Sequence, residues 1–319
     1  MKILILGGST GFIGSNLVNY FAGKHEVFAT FNADGGKKGT NEKCTYLPAN
    51  LTLKNSVDSL FSEVQPDVLI NAAARTTGSK DVIERPFLHV TDNAMINSLV
   101  FEACHTYKVK HCLFFSCSVM FNPKDSPQKE SDWSPGQEIY SSYFGVGNMK
   151  VFSERLCEFY SRLNVCKYTA IRLSNVFGPG DKFDFDKCHM MPALVRRVFE
   201  ATDSLAVWGS GRACRDLIYV DDVVDFVDKV IEKQSGKYEL FNCGVGVARS
   251  ITSVVESIKS VAGKHDLKLI FDITKPDIPT TVILDTSKAK DLLGWEPKTL
   301  FEDGISKTLD WYKFTRLPL

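Results

Sequence analysis

The stretch Lys2-Ile3-Leu4-Ile5-Leu6-Gly7-Gly8-Ser9-Thr10-Gly11-Phe12-Ile13-Gly14 decides the reading of this chain. Ile3–Leu6 is an unbroken apolar run stopped by paired glycines, the pattern of a parallel strand buried on both faces. Ile13, Leu17, Val18 and Phe21 then share one helical face, and Gly23 stops the helix. Between them lies the spacing Gly8-x-x-Gly11-x-x-Gly14. Glycine lets the turn tighten, the backbone approach a pyrophosphate, and the helix pack close to the sheet. Gly8, Ser9, Thr10, Gly11, Phe12 and Ile13 are therefore candidate contacts to a dinucleotide.

The same rhythm continues outward. Val27–Phe31, Val68–Ile70, Cys112–Phe115 and Tyr168–Leu173 read as strands. Helical patterns separate them: Val57, Leu60, Phe61 and Val64; Met95, Leu99 and Phe101; and an amphipathic run from Val151 to Leu163. Alternation of this kind predicts βαβ units, hence an α/β fold with a doubly wound parallel sheet. After Asn175 the alternation loosens, with helices expected around Leu194–Phe199 and over Ile251–Val261. The expected division is a dinucleotide domain over 1–175, with 217–243 returning to it, and a smaller mixed α/β substrate portion over 176–319.

With 319 residues, 44% hydrophobic and 24% charged, the chain is long enough for a substantial core. Basic and acidic residues balance at 38 each, which argues against a nucleic-acid-binding surface. No apolar run approaches the ~20 residues that span a bilayer, and the opening one is too short for a signal-peptide core. The 9 cysteines are scattered without zinc spacing, so free thiols, a cytoplasmic setting and no metal are expected.

The end of the second strand bears on the cofactor. A ribose-binding acid is expected about 20 residues after the glycines, yet the chain reads Thr30-Phe31-Asn32-Ala33-Asp34, followed by Lys37 and Lys38. A neutral Asn32 with nearby cations suits a 2′-phosphate and favours NADP. Asp34 keeps NAD open, and a plain solvated loop explains the lysines as well.

Further segments carry a resemblance. Asn71-Ala72-Ala73-Ala74 follows the Val68–Ile70 strand, Asn93 lies in the next helix, and Ser116 follows the Cys112–Phe115 strand. Arg172-Leu173-Ser174-Asn175-Val176-Phe177-Gly178-Pro179 starts at the end of the Tyr168–Leu173 strand. In order and over almost the whole chain, these resemble the extended short-chain dehydrogenases/reductases that modify sugar nucleotides, with a Rossmann-type sheet. Asp181-Lys182-Phe183, His189 to Arg197, Val207 to Gly211 with Arg215, and Lys275-Pro276-Asp277 are similar to the GDP-L-fucose synthase branch. The resemblance implies NADPH-dependent epimerisation and reduction of a GDP-linked 4-keto-6-deoxy sugar, and pairing of long helices in a homodimer. It implies cofactor contacts at Asn50, Leu51, Ala72, Ala73, Lys150, Leu173, Asn175 and Val176. Asn175, His189, Met190, Trp208, Arg215 and Lys275 would face the substrate.

The chain departs from this family at the chemistry. The family's Tyr-x-x-x-Lys places a proton-donating phenol one helical turn before a lysine. Here Lys150 has the right register, but Val146 stands four residues before it. Tyr143 is the nearest phenol, and Ser118 or a water is the other candidate donor. Of the family's acid–base pair, His189 is kept. Ser118 takes the family's cysteine position, with Cys117 beside it. The sequence leaves open a working reductase, an epimerase without net reduction, and a catalytically weak nucleotide-binding protein.

Overall fold

A computed structural model of the chain describes residues 1–75, 85–185, 188–274 and 281–316. The central strands are β1 (Lys2–Leu6), β2 (Glu26–Asn32), β3 (Cys44–Ala49), β4 (Val68–Asn71), β5 (His111–Cys117), β6 (Lys167–Leu173) and β10 (Tyr238–Cys243). They form one parallel sheet in the order β10-β6-β5-β4-β1-β2-β3. This is the doubly wound, Rossmann-type arrangement. Strand order reverses beside β1, so a crevice opens at the carboxyl ends of β1 and β4.

Side chains alternate along each strand, and β1 uses both directions for the core. Ile3 and Ile5 join α1 (Phe12–Phe21), α6 (Val220–Lys233) and α8 (Ser287–Leu293) on one face of the sheet. Leu4 and Leu6 join α2 (Lys54–Val64), α3 (Thr91–Thr106) and α4 (Phe144–Ser161) on the other. The four apolar side chains of β1 are fully buried. The continuous apolar pattern of this strand follows from having two covered faces.

The edge strand β3 went unrecognised in the sequence. Its Pro48 and exposed polar positions hide the strand, and an edge tolerates both. The helix carrying Lys150 starts at Phe144 rather than Val151, behind a short turn over Ser141–Tyr143. Gly145 and Gly147 mask that first turn. The helix in the second half runs Met190–Glu200 as α5, longer than its apolar stripe suggested, whereas Ile251–Val261 forms α7.

A second core gathers the remaining elements. β7 (Asn175–Phe177), β9 (Cys214–Tyr219) and β11 (Ala248–Ser250) make a mixed three-stranded sheet. β8 (Ser204–Trp208) and β12 (Lys268–Asp272) pair in parallel. Phe177, Phe183, Val195, Val207 and Val254 pack together with α9 (Phe301–Arg316). Asp216 ties the two portions. Its buried carboxylate accepts the N–H groups of Val245, Gly246 and Leu284 at 2.9–3.1 Å.

Candidate active site

The glycine turn is built for close approach. Gly7 takes φ +70°, and a Cβ there would lie 2.9 Å from Ala73 Cα, so Asn71-Ala72-Ala73 can lie against the turn only because residue 7 is glycine. A Cβ on Gly11 would fall 2.5 Å from the Gly7 carbonyl, and one on Gly14 2.6 Å from it. Gly11 caps α1 without a side-chain hydrogen bond, and the first turn has no acidic residue. Its N–H groups and dipole therefore face the crevice uncompensated by the chain itself. A cradle of this shape fits a dinucleotide pyrophosphate.

The residues around the second strand are tied into this cradle. Gly7 N–H donates to Thr30 Oγ1 at 2.9 Å, and Ser9 Oγ donates to the Lys37 carbonyl at 2.6 Å. The latter bond brings the loop of Lys37 and Lys38 beside Ser9. Asn32 ends β2 exposed, and its Oδ1 accepts the Asp34 N–H. The Asp34 carboxylate accepts from Asn50 Nδ2 at 2.6 Å, and Leu51 is buried. Thr10 is exposed, while Phe12 and Ile13 are half-buried on the first turn of α1.

Across the crevice, Ser116 and Cys117 point to different tasks. Ser116 Oγ donates to Glu154 Oε1 at 2.6 Å, and Arg172 donates to both Glu154 oxygens at 2.8 and 3.0 Å. Glu154 and Arg172 are 4% and 1% exposed, and a buried pair with this bidentate geometry fixes the end of β5 against α4 and β6. Ser116 is committed to that network. Cys117 instead keeps solvent access and packs with Tyr143 and Val151 around Met120. Burial raises its thiol pKa, and the nearby charge of Lys150 opposes the rise. Ser118 lies beyond β5, its carbonyl accepting the Phe121 N–H at 3.1 Å.

Lys150 Nζ donates to the Phe115 carbonyl at 2.7 Å and lies 4.8 Å from the centre of the Phe114 ring. Burial lowers its pKa, with Cys117 and Glu154 acting the other way. Val146 is half-buried one turn before it and offers no proton. Tyr143 precedes the helix, so its phenol is placed by the turn rather than by helical spacing. Burial raises the phenol pKa, the charge of Arg215 lowers it, and Tyr140 and Cys117 raise it further.

His189 caps α5 with its side chain open to solvent. Burial of its surroundings, then Lys182, then His89 lower its pKa. Met190 is half-buried behind it. Asn175 donates through Nδ2 to the Asp216 carbonyl at 3.0 Å, Leu173 is buried, and Val176 packs into both cores. Trp208 is 46% exposed, and the Arg197 guanidinium stands 4.9 Å from its ring centre. Arg197 and Arg196 also face Phe185, at 5.4 and 3.9 Å. Reading the sequence singled out Trp208 but not Arg197, Phe185 or His89. The paired arginines of Leu194-Val195-Arg196-Arg197 were the available signal. Lys275 lies outside the described residues. Among the described residues, no group of acidic, histidine and cysteine side chains is placed to hold a metal ion, and no helix is long and apolar enough to cross a membrane.

Comparison with known proteins agrees with this layout. The family model described as "NAD dependent epimerase/dehydratase family" matches residues 3–244. GDP-L-fucose synthase 1 of Arabidopsis thaliana is 31% identical over 84% of this chain and 83% of its own length. GDP-L-fucose synthase of Escherichia coli is 30% identical over 82% of this chain and 85% of its own. GDP-L-colitose synthase of Yersinia pseudotuberculosis is 25% identical over 98% of each. Among solved structures, UDP-glucose 4-epimerase of Thermotoga maritima superposes with a TM-score of 0.87 at 26% identity, covering 99% of both chains. With a nucleotide cradle at one end of the crevice and titratable groups at the other, this chain belongs to the NAD-dependent epimerase/dehydratase family of extended short-chain dehydrogenases/reductases.

Proposed function

We propose that the chain is an NADP(H)-dependent nucleotide-sugar epimerase/reductase acting on a GDP-linked 4-keto-6-deoxy sugar through altered acid–base residues. One observation carries the reading. Cys117, Tyr143 and Val151 pack around Met120, and Lys150 at the same helix start is bonded to the Phe115 carbonyl at 2.7 Å, so a thiol, a phenol and the lysine of the cofactor side lie together where β5 meets α4. The relatives named for GDP-L-fucose and GDP-L-colitose synthesis support the GDP-sugar class.

In this reading the α1 N-terminus, Ser9 and the Lys37 loop hold a dinucleotide, with Asn50, Leu51, Ala72, Ala73, Leu173 and Val176 around it. Bound there, a nicotinamide dinucleotide supplies two-electron reduction of the keto carbon. The protein must then deliver one proton to the developing alkoxide. Tyr143 donates it in place of a phenol at 146, and the Arg215 charge favours the phenolate left behind. Lys150 orients the cofactor side of the cleft. His189 and Cys117 exchange protons at the carbons flanking the ketone. Trp208 and Arg197 stack on the base, while Arg215 and Lys275 hold the phosphates. Residues 176–319, less the elements that rejoin the central sheet, form the substrate portion. Met95, Phe152 and Phe159, exposed on α3 and α4, form the face of a homodimer. All nine cysteines are free, which suits a reducing cytoplasm.

Val146 supports two alternatives: epimerisation without net reduction, and nucleotide-sugar binding alone. Mass spectrometry of the nucleotide sugar decides among the three. The protein is mixed with GDP-4-keto-6-deoxy-mannose and NADPH in deuterated water, beside an enzyme-free control. A product two hydrogens heavier than the ketone, apart from exchanged deuterium, establishes reduction. Deuterium gained beyond the control without reduction establishes epimerase chemistry. Neither, with NADPH still bound, overturns the proposal.

A further inference from the structure

Two arginines face each other across the small mixed sheet. β9 and β11 run antiparallel with Arg215 directly opposite Arg249. Cross-strand partners share a face, with Cβ atoms about 5 Å apart, and like charges in that relation oppose pairing. Leu217 and Tyr219 continue the Arg215 side of β9 into the second core, where Phe301 also lies. Arg249 keeps to that side: its guanidinium is 4.4 Å from the centre of the Phe301 ring. A cation–π contact uses none of its five N–H donors. Arg249 is half-buried, yet among the described residues it makes no ion pair and no hydrogen bond. The acids nearby are turned elsewhere. Glu302, next to Phe301, accepts the Ser257 hydroxyl at 3.2 Å. Asp216, next to Arg215, lies on the opposite side of β9 and accepts three N–H groups. α7 starts at Ile251, two residues past Arg249, with no acid in its first turn. Its positive end adds to the two guanidinium groups. The Ile251 and Thr252 N–H groups donate to the Ala213 and Gly211 carbonyls at 2.9 and 3.0 Å, which ties this corner to the turn after Trp208.

We infer that Arg249 is a second phosphate-binding residue: seated on Phe301 and paired across the strands with Arg215, it selects a nucleotide that carries a diphosphate over one that carries a single phosphate. This rests on the nucleotide-sugar reading above. An anion between the two guanidinium groups turns their repulsion into attraction. The free protein bears that repulsion and the loaded one does not, so the gain is realised on binding. One phosphate satisfies one forked guanidinium, and the second phosphate of a diphosphate supplies oxygens for the other. Arg215 already spends one donor on the Cys214 carbonyl at 2.7 Å, which fixes its fork beside the pair. Specificity for diphosphate-linked sugars then comes from the register of two strands, separately from the aromatic face that Trp208 offers to the base.

Isothermal titration calorimetry of the whole chain with GDP and with GMP tests this. Arg249→Gln should weaken GDP about tenfold and GMP less than about threefold. Arg249→Lys keeps the charge without the fork and should weaken GDP roughly threefold. Thermal melting without nucleotide reports whether each variant is folded, and the lysine variant carries the test should the glutamine variant fold poorly. Unchanged GDP binding in a folded variant overturns the proposal. Equal losses for GDP and GMP overturn it as well, since they mark a general disturbance of the sheet. Wild-type protein that binds neither GDP nor UDP overturns the nucleotide-sugar reading and the role of Arg249 with it, whereas GDP binding that ignores Arg249 overturns the role of Arg249 alone.

Discussion

The glycine turn after β1 and the start of α4 face each other across the same crevice, yet they are built on different principles. The turn works through backbone: Gly7, Gly11 and Gly14 bring main-chain atoms together, and the helix end supplies the charge. Such a site depends on the absence of side chains, and any atom added to it collides. The start of α4 works through side chains held from behind. Glu154 anchors Ser116 and Arg172, Lys150 is bonded to β5, and Tyr143 is set by a turn outside the helix. Here an individual group can change, as at position 146, while the frame persists. A fold of this kind can keep its cofactor grip while its chemistry drifts.

The largest test of that contrast is Glu154→Gln. Removing one charge of the buried pair leaves Arg172 uncompensated and should cost about 3–5 kcal/mol, read by denaturant melting. A loss under 1 kcal/mol would mean that the frame is not what holds the start of α4. Lys150→Met should leave stability nearly intact but lower turnover of the keto sugar roughly 100-fold. Gly11→Ala should weaken NADPH binding about tenfold or more in a fluorescence titration, with a stability cost of about 1–3 kcal/mol. Val146→Tyr restores a phenol one turn from Lys150. Reduction should rise about tenfold if the older geometry survives, and no rise would mean that Tyr143 has fully replaced it.

A separate test concerns pH. The Asp181 carboxyl is buried, and its pKa is pushed up to about 7. A folded-state pKa above the unfolded value means that the native protein holds this proton more tightly. The associated stability is full below pH 4 and is lost as pH rises toward 7. Asp181→Asn should therefore gain on the wild type across that window and run parallel to it above. Melting curves from pH 4 to 8 would show this, and a constant difference would refute the assignment.

Most of the central sheet was legible because strands buried on both faces are written as uninterrupted apolar runs. Ile3–Leu6 and Val68–Ile70 need no context to be recognised. The strand β3 was not legible, since an edge position relaxes both hydrophobicity and the ban on proline. The early start of α4 was hidden because it lacks a capping side chain and carries two glycines. At the candidate site, motif spacing singled out Lys150, His189 and Trp208. It did not reveal that the Ser116 hydroxyl is committed to the buried Glu154 carboxylate. That depends on which side of β5 the Glu154–Arg172 pair occupies, and so on a contact between residues far apart in sequence. Arg197 escaped notice for the same reason: its aromatic partner Trp208 comes from another element.

The strand β10 sits at the edge of the sheet next to β6, 65 residues after β6 ends, and pairs with it over Tyr238–Cys243. A ribosome making this chain must therefore release most of the second half before the first half can finish its sheet. Until residue 243 emerges, β6 presents a bare edge with its hydrogen-bonding groups unpaired. The closing step is a long-range one, of the kind that slows folding. A fragment ending near residue 175 would expose that edge and associate with other copies of itself, so the two halves are parts of one folding event.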